Sequence, residues 1–330
     1  DFASTSAFAP YDGDRYSVSL RLTTSTVHLT LDDSRVVLSN NNRTLTINGV
    51  SGNDVHIVNV TLEKDIINNK TKNISRSNSI IIQRSNQVGI ATNGVTHNAY
   101  YGLRIEDKEI SLNTPDVYHV TAVLESVNNA SPILDKLVFV SGLDLDSNTI
   151  LGEKIKGAES GAIAVLAGQT NATTVEIVNL TQNKFIVGES VTFEESSITT
   201  NLQGIVAGLF KDITSNFTLD DGQRDEFADY SRIVRKDDAT IPSKRMRIIF
   251  DKFTVPSNDT GDVFTVASYP ETYFKNVPLL KNGLRATDTL DFRPRVSDTN
   301  FTNSSPFAFN SRVFSNSGTN PTLVPAPNEA

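Results

Sequence analysis

The sequence predicts an all-β protein: β-sandwich domains with a small inserted β-barrel-like repeat domain. Three observations predict it. Val, Ile and Thr, which suit a pleated and half-buried surface, are abundant beside Asn, Asp, Ser and Gly, the residues of turns. Alternating apolar and polar runs recur, while no stretch sustains an i, i+3, i+4, i+7 apolar stripe for three turns. One short segment, Ile150-Leu151-Gly152-Glu153-Lys154-Ile155, returns as Ile186-Val187-Gly188-Glu189-Ser190-Val191.

The alternation gives each strand one buried face. Tyr16, Val18, Leu20 and Leu22 oppose Ser17, Ser19, Arg21 and Thr23. Leu45 and Ile47 alternate with Thr44, Thr46 and Asn48; Val58, Val60 and Leu62 alternate with Asn59, Thr61 and Glu63. Val175 and Ile177 alternate with Thr174 and Glu176, and Met246, Ile248 and Phe250 with Arg245, Arg247 and Ile249. Turn pairs such as Asp12-Gly13, Asn48-Gly49, Asn93-Gly94, Asp221-Gly222 and Asn282-Gly283 separate the runs. The best helical candidate, Asp225 to Arg235, is short.

These patterns divide the 330 residues into parts. Residues 1–127 form an N-terminal β domain, with Asn68 to Asn78 as a polar, exposed loop. Residues 134–209 form the small barrel or repeat insertion. Its two units are each too small to bury a face alone, and Gly161 to Leu166 is echoed loosely by Gly204 to Leu209. Residues 115–126 and 210–301 form a β-sandwich-like domain around the insertion, with Asn216-Phe217-Thr218-Leu219 as the strand that follows the barrel in the same sheet. Residues 302–330, rich in Pro, Ser and Asn, form a linker. The start at Asp1 reads as a processed chain or as part of a longer one.

Charge and residue usage narrow the function. A net charge of -8 argues against nucleic acid and against an anionic membrane surface as partners. The lack of Cys removes disulfides and thiolate metal sites, and no apolar run approaches the ~20 residues of a membrane span. His28, His56, His97 and His119 have no metal-ligand spacing, and His28 and His56 lie in strand-like runs. The oxygen-rich run from Asp144 to Asn148 lacks the glycine and the closing Glu of a calcium loop and reads as an Asx-type turn. No G-x-S-x-G elbow, Walker loop or dinucleotide fingerprint occurs, so no catalytic, cofactor-binding or metal-binding residue is assigned. Sequons such as Asn42, Asn59 and Asn171 are frequent, as chance provides in a chain rich in Asn, Ser and Thr.

A resemblance adds to this. Leu219-Asp220-Asp221-Gly222-Gln223-Arg224-Asp225, Tyr230-Ser231-Arg232-Ile233, Arg247 to Phe253, Gly261 to Val266 and Asp288 to Val296 follow in an order that resembles a domain of uncharacterised function. That domain occurs in large tail-associated structural proteins of tailed phages, notably cyanophages. The likeness is strongest from Pro115 to Val296, and the Gly-Glu and Ser160-Gly161-Ala162 units are similar to small repeats of the same proteins. The resemblance implies a non-enzymatic virion protein of the tail, baseplate or tail fibre. Its expected partners are other tail proteins, in a homo- or hetero-oligomer.

Within that segment, arginines and carboxylates crowd around aromatic residues. Arg224, Asp225, Tyr230, Arg232, Asp291, Arg293 and Arg295 are the candidate assembly contacts, since bidentate pairs of this kind orient strands or seal a subunit contact. The alternative function is an adhesin whose loop Thr92 to Tyr101 contacts a host surface glycan. A depolymerase would need two convergent carboxylates in a cleft.

Overall fold

Alternation in the sequence becomes antiparallel pairing in the computed structural model. It describes residues 6–22, 26–50, 54–64, 67–82, 104–225, 227–256, 258–280, 282–291, 293, 314–315 and 322–323. The chain forms an all-β fold in two compact units, Asp1–Asn68 and Asn69–Ala330.

The first unit holds β1 (Ser6–Phe8), β2 (Tyr16–Arg21), β3 (Thr26–Leu29), β4 (Val36–Ser39), β5 (Thr44–Ile47), β6 (His56–Val60) and β7 (Leu62–Lys64). Strand β2 is central between β3 and β6, β1 pairs with β7, and β4 pairs with β5. Tyr16 and Val18 are buried, as their alternation predicts. The β4–β5 turn places Asn40, Asn41 and Asn42 at positive φ, which Asn tolerates better than most residues. His28 Nδ1 meets Ser19 Oγ of the neighbouring strand at 2.9 Å, so it is a paired sheet residue.

The second unit runs through β8 (Asn73–Ile82), β9 (Glu109–Ser111), β10 (Val117–Ser126), β11 (Asp135–Phe139), the single turn α1 (Leu145–Asn148), β12 (Lys154–Gly157), β13 (Ile163–Asn171), β14 (Thr174–Asn179), β15 (Ser190–Phe193), β16 (Ile198–Val206), β17 (Phe210–Asp212), β18 (Phe217–Asp220), β19 (Arg232–Arg235) and β20 (Met246–Thr254). A sheet in the order β17-β10-β20-β8 faces a three-stranded sheet, β18-β19-β9. Val117, Val123, Met246, Ile248 and Phe250 of the first meet Ile110, Phe217 and Ile233 of the second in one core. Strands β11 to β16 close into a six-stranded barrel. Thirteen buried residues fill it, among them Leu137, Phe139, Ile155, Leu166, Ile177, Val191, Phe193 and Leu202.

The barrel sits against the other face of the four-stranded sheet. Ala122 and Leu124 of β10 and Ile249 of β20 pack with Leu134, Ala167 and Val178. This explains why Ile249, expected on a polar face with Arg245 and Arg247, is fully buried. At about 1.5–3 kcal/mol for each large apolar side chain removed from water, both faces of the sheet stabilise the unit substantially.

Several expectations are corrected. Residues 68–78 are not an exposed loop: β8 pairs along β20, and Lys70, Lys72 and Ser77 are buried. The polar pattern misleads because each of these groups is buried with a partner. The first unit therefore ends near 68, not 127, since β8, β9 and β10 all pair within the second unit. Asp225 to Arg235 contains no helix among its described residues; β19 occupies its end, held between β9 and β18. The strand that follows the barrel beside β10 is β17, and Phe217–Asp220 lies in the opposite sheet. Beyond Thr254 the chain turns from strands to 3-10 turns at Val266–Ser268, Glu271–Asn276 and Ala286–Asp288. These pack through Tyr269, Val277 and Ala286 around Phe253. The linker 302–330 lies outside the described residues, apart from a two-residue ladder of β21 (Phe314–Ser315) with β22 (Thr322–Leu323).

Asp107, in the turn before β9, is fully buried, and burial pushes its carboxyl up to about 7 despite a hydrogen bond from the Arg104 N–H. The folded state then holds this proton more tightly than the unfolded chain. Its effect is a loss of stability as pH rises from the ordinary Asp value of 3.8 towards 7, level above that. Asp107→Asn is expected to flatten this slope and to exceed the native chain above pH 7 by about 1–3 kcal/mol in urea unfolding. Parallel pH profiles for the two would contradict the assignment.

Candidate functional site

The near-repeat in the barrel is a structural duplication, with a shift of 36 residues between the two Gly-Glu segments, from Ile150 to Ile186. Strands β11, β12 and β13 correspond to β14, β15 and β16. The pairings obey the same exchange: β12 with β13 matches β15 with β16, and β13 with β14 matches β16 with β11. The pairs β11–β14 and β12–β15 lie on the pseudo-twofold axis.

One buried glutamate per repeat locks the other repeat. Glu153 accepts hydrogen bonds from Ile150 N at 2.7 Å, Glu195 N at 3.0 Å, Ser196 N at 2.9 Å and Ser196 Oγ at 2.8 Å. Glu189 accepts from Ile186 N at 2.7 Å, Glu159 N at 3.0 Å, Ser160 N at 3.0 Å and Ser160 Oγ at 2.9 Å. Burial pushes the Glu189 carboxyl up, but these donors outweigh it and hold it below the ordinary range. The equivalent of Gly161 at φ 61° is Ser197 at φ 59°, so the loose echo at Gly204 is not its structural counterpart.

The two ends of the duplicated barrel have different surroundings. At the first, Arg76 and Ser77 of β8 bulge out opposite Asp251. Arg76 makes a two-pronged ion pair with Glu195 at 2.6 and 2.9 Å, and Ser77 Oγ donates to Leu166 O at 2.8 Å. The Arg76 stem lies so close to Gly152 that a Cβ there would stand 2.4 Å from the Arg76 Cβ. At the second end, a Cβ on Gly188 would meet nothing within 4 Å. Glu159, the counterpart of Glu195, is exposed there and makes no ion pair among the described residues. Ile186 and Val187 beside it are 50% and 57% exposed, somewhat more than their counterparts Ile150 and Leu151 at 43% and 39%.

Of the candidate assembly residues, Arg224, Arg232, Asp291 and Arg293 belong to an internal charge network. Arg232, near the centre of the three-stranded sheet, reaches Glu109 of β9 at 2.7 Å, Asp220 of β18 at 3.2 Å and Asp229 at 3.2 Å, so it ties all three strands. Arg224 is bidentate on Asp220 at 3.0 and 2.8 Å. Burial pushes Asp220 up, but Arg224, the Gly222 N–H and Arg232 hold it below the ordinary range. Asp229 is raised by burial against the same arginines. Arg293 clasps Asp291 through Nε and Nη2, each at 2.9 Å, and Tyr230 is buried beside the network. Asp225 is exposed, and Arg295 and the loop Thr92 to Tyr101 lie outside the described residues.

From Arg293 the network continues to residues the sequence did not single out. Arg293 Nη2 donates to Gln223 Oε1 at 2.7 Å, Gln223 Nε2 donates to Asp116 Oδ1 at 2.9 Å, and Lys72 Nζ donates to Asp116 Oδ2 at 2.5 Å. Lys72 and Asp116 are both buried. Lys72 Nζ lies over the rings of Phe264, Tyr269 and Phe253 at 4.7, 4.8 and 5.9 Å. Lys72 falls in the segment that reads as an exposed loop and Asp116 at the start of a strand-like segment, so only the pairing of distant strands reveals them.

Other features carry less. An open cleft of about 430 Å³ in the first unit is lined mainly by apolar side chains, including Val18, Leu45, Ile47, Val58 and Val60. Among the described residues, no group of three or more His, Asp or Glu side chains is placed to hold a metal ion. Compared with known proteins, the chain matches no family model, no curated protein and no solved structure.

The barrel lock is directly testable. Glu189→Ala leaves four donors without an acceptor and is expected to cost about 3 kcal/mol in urea unfolding, with Glu153→Ala costing a similar amount. A loss below about 0.5 kcal/mol for either, the level of an ordinary surface change, would refute the equivalence.

Proposed function

We propose that this chain is a structural module of a phage virion, in the tail, baseplate or tail fibre, and that it works by holding neighbouring subunits. The observation that carries this reading is the second end of the duplicated barrel. Its twin is occupied by an arginine-bearing strand bulge of the same chain, which supplies a worked example of what such an end receives. The open end presents the same backbone loop, the equivalent carboxylate and an apolar pair. The occupant that fits is an extended, arginine-bearing strand of a neighbouring tail protein: its guanidinium meets Glu159 and its stem lies over Gly188. A charged pair at the rim with an apolar contact beside it is a recognised way of steering and then seating a partner.

The charge network supports the same reading in a different way. It spends its arginines on tying strands together inside the unit, which suits a rigid part under mechanical strain. The resemblance to tail-associated proteins adds the setting.

The test is incorporation. The double variant Glu159→Lys, Val187→Asp alters only exposed side chains and should leave the barrel folded. It is expected to reduce co-purification with assembled tail particles at least tenfold relative to the native chain. Native-level incorporation of a folded double variant would contradict this use of the open end.

A further inference from the structure

The geometry points to a covalent bond: we propose that Lys72 and Asp116 condense spontaneously to an intramolecular isopeptide amide, Nζ to Cγ. This goes beyond the virion reading and does not depend on it. The pair has the elements that such a condensation requires: a nucleophile held against its target, exclusion of water, and a donor aimed at the developing oxyanion.

Position comes first. The Lys72 backbone N–H donates to Ser268 O at 2.8 Å, which fixes the base of the side chain. Its Nζ is held against Asp116 Oδ2 at 2.5 Å under the faces of Phe264 and Tyr269. Asp116 is held as firmly. It adopts φ 58°, uncommon for a residue with a Cβ, and its carbonyl accepts the Phe253 N–H at 3.0 Å. The following N–H, of Val117, donates to Ser231 Oγ at 3.0 Å. Two side chains held in this way react with an effective concentration far above that of free groups.

Environment comes second. The side chains of Lys72 and Asp116 are 0% and 3% exposed. An ion pair taken out of water loses hydration on both members. Moving one proton along the Nζ–Oδ2 hydrogen bond gives an amine and a carboxylic acid, the forms that react.

The third element is the relay from Arg293. A glutamine amide can face either way, but here its orientation is dictated. Gln223 Oε1 accepts from Arg293, which can only donate and is itself clasped by Asp291. Gln223 Nε2 therefore faces Asp116 Oδ1 at 2.9 Å. When Nζ adds to Cγ, negative charge develops on Oδ1, where this donor is already aimed. The Nζ–Cγ bond forms, the Cγ–Oδ2 bond breaks, and Oδ2 leaves as water with the two protons given up by the ammonium. No oxidant, cofactor or second reactant is needed. The amide would join positions 44 residues apart and tie the start of β8 to the start of β10.

The experiment is intact mass under denaturing conditions, on the purified chain first shown to be folded by circular dichroism, followed by tryptic mapping. The native chain is expected to weigh one water less than its sequence and to yield a branched peptide joining Lys72 to Asp116, with no cleavage after Lys72. Lys72→Arg and Asp116→Ala are each expected to weigh their full sequence mass. In chain recovered unlinked from inclusion bodies, Gln223→Ala is expected to slow formation on refolding at least tenfold relative to the native sequence treated in the same way, and formation at the native rate would remove the relay from the mechanism. Native chain at full mass with Lys72 cleaved would overturn the proposal. So would a lost water mapped instead to a succinimide at Asp12-Gly13 or Asp221-Gly222.

Discussion

The pairing of β10 with β20 is the interaction on which the second unit depends. These two strands share a long antiparallel ladder from Val117 to Glu125, with bulges that let each strand change which face a side chain serves. One face contributes Val123, Met246, Ile248 and Phe250 to the sandwich core. The other contributes Ala122, Leu124 and Ile249 to the barrel contact. A strand buried on both faces must be apolar at consecutive positions, and Met246 to Phe250 and Ala122 to Leu124 nearly meet that requirement. The barrel is thus an elaboration carried on the back of a sandwich sheet. It adds a second core without a second independent foundation.

Charge in this unit is directed inward. Arg232 joins three strands, Glu153 and Glu189 each stitch one barrel repeat to the other, and Lys72 meets Asp116 among aromatic rings. Removing one member of such a pair leaves a buried charge or several backbone donors unsatisfied, so each contact narrows the permitted arrangements more than it adds net stability. The apolar cores supply cohesion, and the polar contacts specify which strand lies beside which.

Much of the fold was legible from local pattern. Period-two runs located β2, β5, β6, β14 and β20; one face is the more buried in β5 and β14, whereas Ile57 and Val58 on the two faces of β6 are equally exposed. The duplicated Gly-Glu segment was visible because both copies need the same left-handed glycine and the same carboxylate, at Gly152-Glu153 and Gly188-Glu189. What failed to show is non-local. Asn68 to Asn78 read as a loop because its polar residues find partners far along the chain: Lys72 with Asp116, Ser77 with Leu166 and Arg76 with Glu195. The charge cluster around Arg224, Arg232 and Arg293 was legible as composition, but whether it closed on itself or on a neighbour depended on β18, β19 and β9 forming one sheet. Arg232 then lies within reach of acids on both sides.

The central claim is that sandwich and barrel form one cooperative body built on the β10–β20 ladder, and native-state hydrogen exchange tests it most directly. Amides of Val123, Ile248 and Ile249 in the ladder and of Leu166 and Ile177 in the barrel should exchange only through global opening, with one common free energy and one common denaturant dependence. Barrel amides that stay protected while the ladder exchanges, or two separate free energies for the two regions, would contradict it.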